Sequence, residues 1–204
     1  MKILKQNDES YKQVSEIIYS GGVIAYATDT VYGLGCSPFS LSAILELNRL
    51  KGRGSDKKFI LLVPADFDVE SFVYVSEPAR ELMSRFWPGP LTLIFKARED
   101  AAFHPSIIGE EGKISFRVPS EPNIRKMLEV TGPLISTSAN LSGQPLLGSA
   151  AEIARVFPSL DCIVEGQAST LPSTIVDVSD GEPKLLREGV ISCKQFPFKI
   201  KGCP

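Results

Sequence analysis

Short apolar segments of strand length recur along the chain, and each is followed by a turn or a polar cluster. They are VIAYA (23–27), FILLVP (59–64), LTLIFKA (91–97) and ISFRVP (114–119). Amphipathic segments lie between them, such as the one with Tyr11, Val14 and Ile18 at helical spacing. Because strands and helices mix without strict βαβ alternation, the sequence predicts a single α/β domain. Its sheet is expected to be twisted, mixed parallel and antiparallel, and flanked by helices.

The remaining elements follow from the same patterns. Further helices are predicted over 40–51, 77–86 and 121–131 and near 149–157, with Ser40 as an N-cap. Further strands are predicted over 133–137 and near 161–165, 174–178 and 184–187. The prediction is one domain over residues 1–191, followed by a loosely attached C-terminal tail over 192–204.

Composition excludes several classes of protein. The 204-residue chain has a net charge of −2, which disfavours a globally basic nucleic-acid binder. Its four cysteines form no CxxC pair and its start is too polar for a signal peptide, so free thiols and a cytoplasmic location are expected. With His104 as the one histidine, no protein-bound metal is expected, and no apolar run is long enough to span a membrane.

The familiar catalytic motifs are missing from the sequence. It contains no GxSxG, no GxxxxGK[ST] and no GxGxxG. Cations and small hydroxyl side chains stand at strand ends and turns instead. They lie in TDTVYGLG (28–35), KGRGSDKK (51–58), SFRVP (115–119), STSANLSG (136–143), PSTIVD (172–177) and LLREG (185–189).

Each of these features has an ordinary structural interpretation. The lysine and arginine run can be a solvated loop, the Ser/Asn/Gly clusters can be turns, and an arginine in a strand can pair with a carboxylate. Arg117 and Arg187, however, lie among apolar neighbours, where an unpaired charge is costly. With few acidic residues near them in the sequence, they predict a pocket for a polyanionic small molecule, such as a nucleotide.

Taken together, these motifs resemble a known family. TDTVYGLG, KGR…K, WPGPLT, RVP, STSANLSG, STIVD and LLREG occur here in the order seen in the YrdC-like family, from about residue 8 to residue 191. Well-studied members of that family are threonylcarbamoyl-AMP synthases. The resemblance implies an enzyme that makes threonylcarbamoyl-AMP and pyrophosphate from L-threonine, bicarbonate or carbon dioxide, and ATP. A tRNA threonylcarbamoyl transferase would then use the product.

The resemblance also implies roles for individual residues. Lys51, Arg53 and Arg117 are the expected catalytic residues. Expected ATP contacts are Arg53, Lys57, Lys113, Ser138, Asn140 and Arg187. Expected contacts to threonine and its carbamate are Thr30, Arg117, Ser136 and Ser173. Mg²⁺ is expected to be held by the ATP phosphates and not by a protein cage.

Two other functions remain open from the sequence. One is a double-stranded RNA or tRNA-binding protein without ATP chemistry, for which the acidic composition is unfavourable. The other is carbamoyl transfer to a different substrate, because related domains occur in hydrogenase-maturation proteins. Those proteins are much larger and carry zinc motifs that this chain lacks.

Overall fold

The computed structural model describes residues 1–52, 59–109 and 111–203. Its strands are β1 (Lys2–Leu4), β2 (Ile24–Tyr26), β3 (Gly33–Gly35), β4 (Ile60–Leu62), β5 (Val73–Tyr74), β6 (Leu91–Ala97), β7 (Lys113–Arg117), β8 (Leu134–Ser138), β9 (Cys162–Val164), β10 (Thr174–Asp177) and β11 (Lys184–Arg187). Its helices are α1 (Asp8–Tyr19), α2 (Leu41–Lys51), α3 (Glu77–Phe86), α4 (Pro105–Ile108), α5 (Pro122–Thr131) and α6 (Ala150–Val156). Within the described residues, no helix is long and apolar enough to cross a bilayer.

One continuous sheet organises the domain. Its strand order is β1-β9-β2-β3-β8-β4-β7-β6-β10-β11, and β5 pairs with β6. Four pairings are parallel: β1/β9, β2/β9, β4/β7 and β6/β10. The pairings β2/β3, β3/β8, β4/β8, β6/β7, β5/β6 and β10/β11 are antiparallel. The predicted single α/β domain with a mixed sheet is confirmed.

Both faces of the sheet are buried. Strand β2 shows this directly, because Val23 and Ala25 belong to a large apolar cluster while Ile24 and Tyr26 belong to a separate one. Alternate residues of a strand point to opposite faces. The smaller cluster is completed by apolar side chains of α1 and α5, which pack against each other. The other face carries the larger cluster. The cavity described below opens on the face of the smaller cluster, because Ile60 lines the cavity and packs against that cluster.

Side-chain caps fix where the helices begin. Ser40 accepts a hydrogen bond from the backbone N–H of Ala43 at 3.4 Å, as expected for the N-cap of α2. Asn7 and Glu121 cap α1 and α5 in the same way, by accepting from backbone N–H groups three residues on. Helix α2 ends at Lys51, and its C-cap residue Gly52 has a left-handed φ of 58° that a residue with a side chain would adopt only at a cost.

The C-terminal segment is part of the fold, so the expectation of a loosely attached tail is wrong. Phe196 and Ile200 are buried in the larger apolar cluster. The backbone of Lys201 also bonds to the start of β11, because it donates to the Pro183 carbonyl and accepts from the N–H of Leu185. Apolar residues spaced through SCKQFPFKI therefore anchor the segment, although its sequence lacks a regular helical or strand pattern.

The expectation of four free thiols is also wrong. Cys193 and Cys203, which are ten positions apart in sequence, form a disulfide. Cys36 and Cys162 are buried thiols. Burial, with a smaller contribution from the nearby Asp161 carboxylate, raises the pKa of Cys162 to about 12, so this thiol is protonated at neutral pH. Neither buried thiol is exposed for chemistry.

Removal of the disulfide is expected to destabilise the protein. Closure of a loop of this length stabilises a fold by about 2–3 kcal/mol, by restricting the unfolded chain. The double variant Cys193→Ser/Cys203→Ser should therefore lose about that much in urea unfolding. Dithiothreitol should lower the wild-type midpoint to the variant's value and leave the variant unchanged. If dithiothreitol left the urea midpoint of the wild-type protein unchanged, the disulfide would not contribute to its stability.

Candidate active site

A cavity of about 370 Å³ opens on one face of the sheet. Strands β6, β7 and β8 each supply two alternate residues to its wall, which is the spacing of side chains on one face of a strand. In the sheet, β6 is next to β7, and β4 lies between β7 and β8. These pairs are Thr92 and Ile94 of β6, Ser115 and Arg117 of β7, and Ser136 and Ser138 of β8. The rest of the wall is Thr28, Thr30, Val31, Gly33, Phe59, Ile60, Thr137, Leu146, Pro172, Ser173, Ile175 and Arg187. Two cations and eight hydroxyl side chains thus face an otherwise apolar space.

The structure brings together most of the described residues that the sequence predicts for the site. Those that line the cavity are Thr30, Arg117, Ser136, Ser138, Ser173 and Arg187. Lys51, Lys113 and Asn140 are not part of its wall. Arg53 and Lys57 lie outside the described residues.

Arg117 is the most buried cation of the cavity, with 4% of its surface exposed. Its Nη1 donates to Thr30 Oγ1 at 2.9 Å, and its Nη2 donates to the Asp29 carboxylate. Its Nε is buried and has no hydrogen-bond partner among the described residues. Burial lowers the pKa of Arg117, whereas the charge and hydrogen bond of Asp29 act in the opposite direction. A buried donor without a partner is costly, so Arg117 is held in the wall with one N–H group unsatisfied.

The Asp29 contact corrects one expectation. Arg117 is not without an acidic partner, since Asp29 binds it from 88 positions away in sequence. The other Asp29 oxygen accepts from the backbone N–H of Ser120 at 3.1 Å and from its hydroxyl at 2.9 Å. The carboxylate therefore holds the guanidinium in place and joins the TDT turn to the end of β7.

Arg187 reaches the cavity from β11 and is held by Ser173. Its Nε and Nη2 donate to the Ser173 carbonyl at 3.0 and 2.8 Å, and Nη2 also donates to the Ser173 hydroxyl at 3.1 Å. Burial lowers the pKa of Arg187, and the positive charge of Arg117 lowers it further. Two mutually repelling cations in one cavity favour an anion between them.

Lys51 binds the SAN loop (residues 138–140) and does not line the cavity. Its Nζ donates to the Ser138 carbonyl and, at 3.0 Å, to Asn140 Oδ1. The Ser138 hydroxyl donates to the same Asn140 oxygen at 2.6 Å, and Asn140 Nδ2 donates to the Gln144 carbonyl at 2.6 Å. Lys51 and Asn140 thus fix the loop that carries Ser138 into the wall.

Lys113 lies on β7 with Ser115 and Arg117 but pairs with acids away from the cavity. Its Nζ is 3.0 Å from Asp177 Oδ2 and 3.4 Å from Asp180 Oδ2. Burial lowers the pKa of Lys113, but the hydrogen bond and charge of Asp177, helped by Asp180, outweigh it and raise the pKa overall. In this structure, its ammonium is committed to those carboxylates.

Sequence reasoning missed four hydroxyl residues of the wall: Thr28, Thr92, Ser115 and Thr137. Thr28 and Thr92 belong to the motifs TDT and WPGPLT, and Ser115 is two positions before Arg117 on an alternating strand. This alternation could have predicted that Ser115 lies on the same face of the strand as Arg117. Thr92 Oγ1 is 2.8 Å from Ser173 Oγ, which links β6 to the start of β10 within the wall.

The wall contains no cysteine or histidine and no carboxylate among the described residues. No group of three or more potential metal-ligating residues occurs among the residues that the structure describes. What the wall offers is two guanidinium groups and many hydroxyls. Such groups orient anions and neutralise their charge, which suits transfer between two bound substrates without a covalent enzyme intermediate.

Comparison with known proteins places the chain in a family. The family model Sua5_yciO_yrdC, described as "Telomere recombination", matches residues 16–189. The chain therefore belongs to this family. Threonylcarbamoyl-AMP synthase of Stutzerimonas stutzeri is 36% identical over 86% of this chain and 96% of that protein. Putative threonylcarbamoyl-AMP synthase of Methanocaldococcus jannaschii is 32% identical over 96% of this chain and 95% of that protein.

Solved structures agree with this assignment. P. abyssi Sua5, determined as a complex with L-threonine, matches with a TM-score of 0.90 and 28% identity. The match covers 98% of this chain but only 61% of Sua5, so this chain spans about three fifths of that protein's length. E. coli YciO matches with a TM-score of 0.85 and 28% identity, over 96% of this chain and 98% of YciO.

Proposed function

We propose that this chain is a threonylcarbamoyl-AMP synthase, an enzyme that makes threonylcarbamoyl-AMP and pyrophosphate from L-threonine, bicarbonate or carbon dioxide, and ATP. Curated relatives of nearly the same length carry that name, and a relative of the same fold was solved with L-threonine. The observation that carries the proposal is the cavity itself. It pairs the buried Arg117 and the more exposed Arg187 with hydroxyl side chains, and its described residues include no cysteine, histidine or carboxylate.

The reaction needs no nucleophile from the protein. The threonine amine adds to carbon dioxide, and loss of a proton gives a carbamate. A carbamate oxygen attacks the α-phosphorus of ATP, and the bond to the β-phosphate oxygen breaks, which releases pyrophosphate. Two anions must approach each other, so positive charge in a desolvated site lowers the barrier. Arg117 of β7 and Arg187 of β11 provide that charge in the cavity wall.

The residues divide between the two substrates. Thr30, Arg117, Ser136 and Ser173 bind threonine and its carbamate. Ser138 and Arg187 bind the nucleotide, together with Arg53 and Lys57, and Asn140 and Lys51 hold the loop of Ser138. Lys113 would have to leave Asp177 to reach ATP. Mg²⁺ enters with the phosphates, which is its usual mode in nucleotide sites.

The product is a reactive mixed anhydride, and we propose that a tRNA threonylcarbamoyl transferase consumes it. This assigns the protein to the cytoplasm, where tRNA is modified. The Cys193–Cys203 disulfide is unusual for that compartment, and the dithiothreitol experiment above measures how much the fold depends on it.

Pyrophosphate release tests the proposed function. The purified protein, supplied with ATP and Mg²⁺, should release pyrophosphate only when both threonine and bicarbonate are present. Release without threonine, or equal release with any amino acid, would contradict the proposal. Salt-sensitive RNA binding with no ATP turnover would favour the RNA-binding alternative instead.

Replacement of Thr30 should affect threonine more than ATP. The Thr30→Ala variant removes the hydroxyl that Arg117 contacts in the cavity. Loss of a neutral hydrogen bond of about 0.5–1.5 kcal/mol should raise the KM for threonine by about 3- to 10-fold. The KM for ATP should stay within about twofold in steady-state kinetics, since a lost contact affects mainly the ligand that makes it. A larger change for ATP would refute the placement of Thr30.

A further inference from the structure

Thr28 is buried beside Thr30 in the TDT turn, and all three hydrogen-bonding positions of its hydroxyl are occupied. Its Oγ1 donates to the Val31 carbonyl at 2.7 Å and accepts from the backbone N–H of Thr30 at 3.1 Å. Its third contact is the Thr30 hydroxyl at 3.0 Å. A hydroxyl has one proton and two lone pairs, so Thr28 has none left for a ligand, although it lines the cavity.

These contacts fix the direction of the bond between the two threonine hydroxyls. The Val31 carbonyl can only accept, so the single Thr28 proton is directed at Val31. If that proton turned toward Thr30 instead, two oxygen lone pairs would face each other at 2.7 Å. The proton between the two hydroxyls therefore belongs to Thr30.

The hydrogen bonds of the Thr30 hydroxyl follow from this direction. Its proton is donated to Thr28, and one of its lone pairs accepts from Arg117 Nη1 at 2.9 Å. One lone pair remains, without a partner among the residues that the structure describes. Thr30 lines the cavity, and only 2% of its surface is exposed. Toward a ligand it is an acceptor only.

We propose that Thr28 is a positioning residue: it takes up the Thr30 proton, so that Thr30 binds the amino-acid substrate as an acceptor from one of its N–H or O–H groups. This inference rests on the proposed function and deepens it. A site that must accept a hydrogen bond discriminates against substrates that lack the donor, because its acceptor is then left unpaired. Thr28 would thereby contribute to substrate choice without touching the substrate.

The test compares Thr28→Val, which keeps the shape but lacks the hydroxyl, with Thr28→Ser, which keeps the hydroxyl. In Thr28→Val, the Thr30 proton is free to turn into the cavity and oppose the substrate donor. The KM for threonine should rise about 3- to 10-fold, while the KM for ATP stays within about twofold. Thr28→Ser should restore both values to the wild-type range.

A substrate comparison identifies the donor. Pyrophosphate release is measured with threonine and with 2-aminobutyrate, which lacks the side-chain hydroxyl. If that hydroxyl is the donor, Thr28→Val should lower the wild-type preference for threonine over 2-aminobutyrate. If the amino nitrogen is the donor, kcat/KM should fall equally for both substrates. Either result supports the acceptor role of Thr30.

Two results would overturn the inference. One is an unchanged threonine KM in Thr28→Val; the other is an equal rise in the KM values for threonine and ATP, as a general loosening of the turn would cause. If thermal unfolding shows that Thr28→Val does not fold, Thr28→Ala is judged by the same criteria. A wild-type protein that releases no threonine-dependent pyrophosphate would instead defeat the proposed function, so the two failures are distinguishable.

Discussion

Replacement of Arg117 by methionine is expected to lower the rate of threonylcarbamoyl-AMP formation by about 100- to 1,000-fold, the usual cost of removing one preorganised donor from a charged transition state. Arg117 lines the cavity wall, and its Nε is buried with no hydrogen-bond partner in the part of the chain that the structure describes. The same change should destabilise the fold by about 3 kcal/mol, because it leaves the Asp29 carboxylate buried without its cation. The Asp29 side chain is only 10% exposed.

A double variant separates the two effects. Arg117→Met/Asp29→Asn removes both charges, so most of the lost stability should return while activity stays low. Arg85→Ala is the matched control, because Arg85 is 56% exposed and pairs with Glu81 on the surface of α3. It should change stability by about 1 kcal/mol or less and leave the rate unchanged. A folded Arg117→Met protein with wild-type turnover would refute the role of Arg117.

Replacement of Phe116 by alanine should produce the largest loss of stability, about 3–5 kcal/mol. Phe116 is fully buried on the core face of β7, next to Arg117 on the cavity face. Its ring lies 6.0–6.3 Å, centroid to centroid, from those of Phe67, Phe95 and Phe103. Urea unfolding measures the loss. The protein that remains folded should keep the wild-type KM for threonine, because no cavity contact is removed.

Phe39 provides the control for this core substitution. It is 62% exposed and stacks on Phe103, with ring centroids 5.4 Å apart. Phe39→Ala should cost about 1 kcal/mol or less. Equal losses for Phe39→Ala and Phe116→Ala would show that the aromatic cluster does not dominate the stability of this face.

Periodicity and caps were sufficient to predict most of the regular structure. Helix α3 spans the predicted 77–86, and Ser40 caps α2 as predicted. Strand β3 was not predicted, because GLG (33–35) has the composition of a turn. Its glycines serve close strand packing, since a side chain at Gly35 would collide with the Ile135 carbonyl of β8. Such a strand exists because of tertiary contacts and leaves no local pattern.

The site was predicted in part for a physical reason. Arginines within apolar strands are costly, and that cost correctly singled out Arg117 and Arg187 as unusual. The partner of Arg117 could not be predicted, because Asp29 is 88 positions away in sequence and meets it only through the sheet order. The Cys193–Cys203 pairing escaped prediction for the same reason, since cysteine spacing alone does not define connectivity.

The most direct measurement is mass spectrometry of the reaction product. The protein is incubated with ATP, Mg²⁺, threonine and bicarbonate, and ATP, threonine and bicarbonate are each omitted in turn. We expect a threonylcarbamoyl-AMP peak that requires all three substrates and is strongly reduced in Arg117→Met. No such peak from folded protein that binds ATP would contradict the proposed function, and the cavity would then need a different anionic ligand.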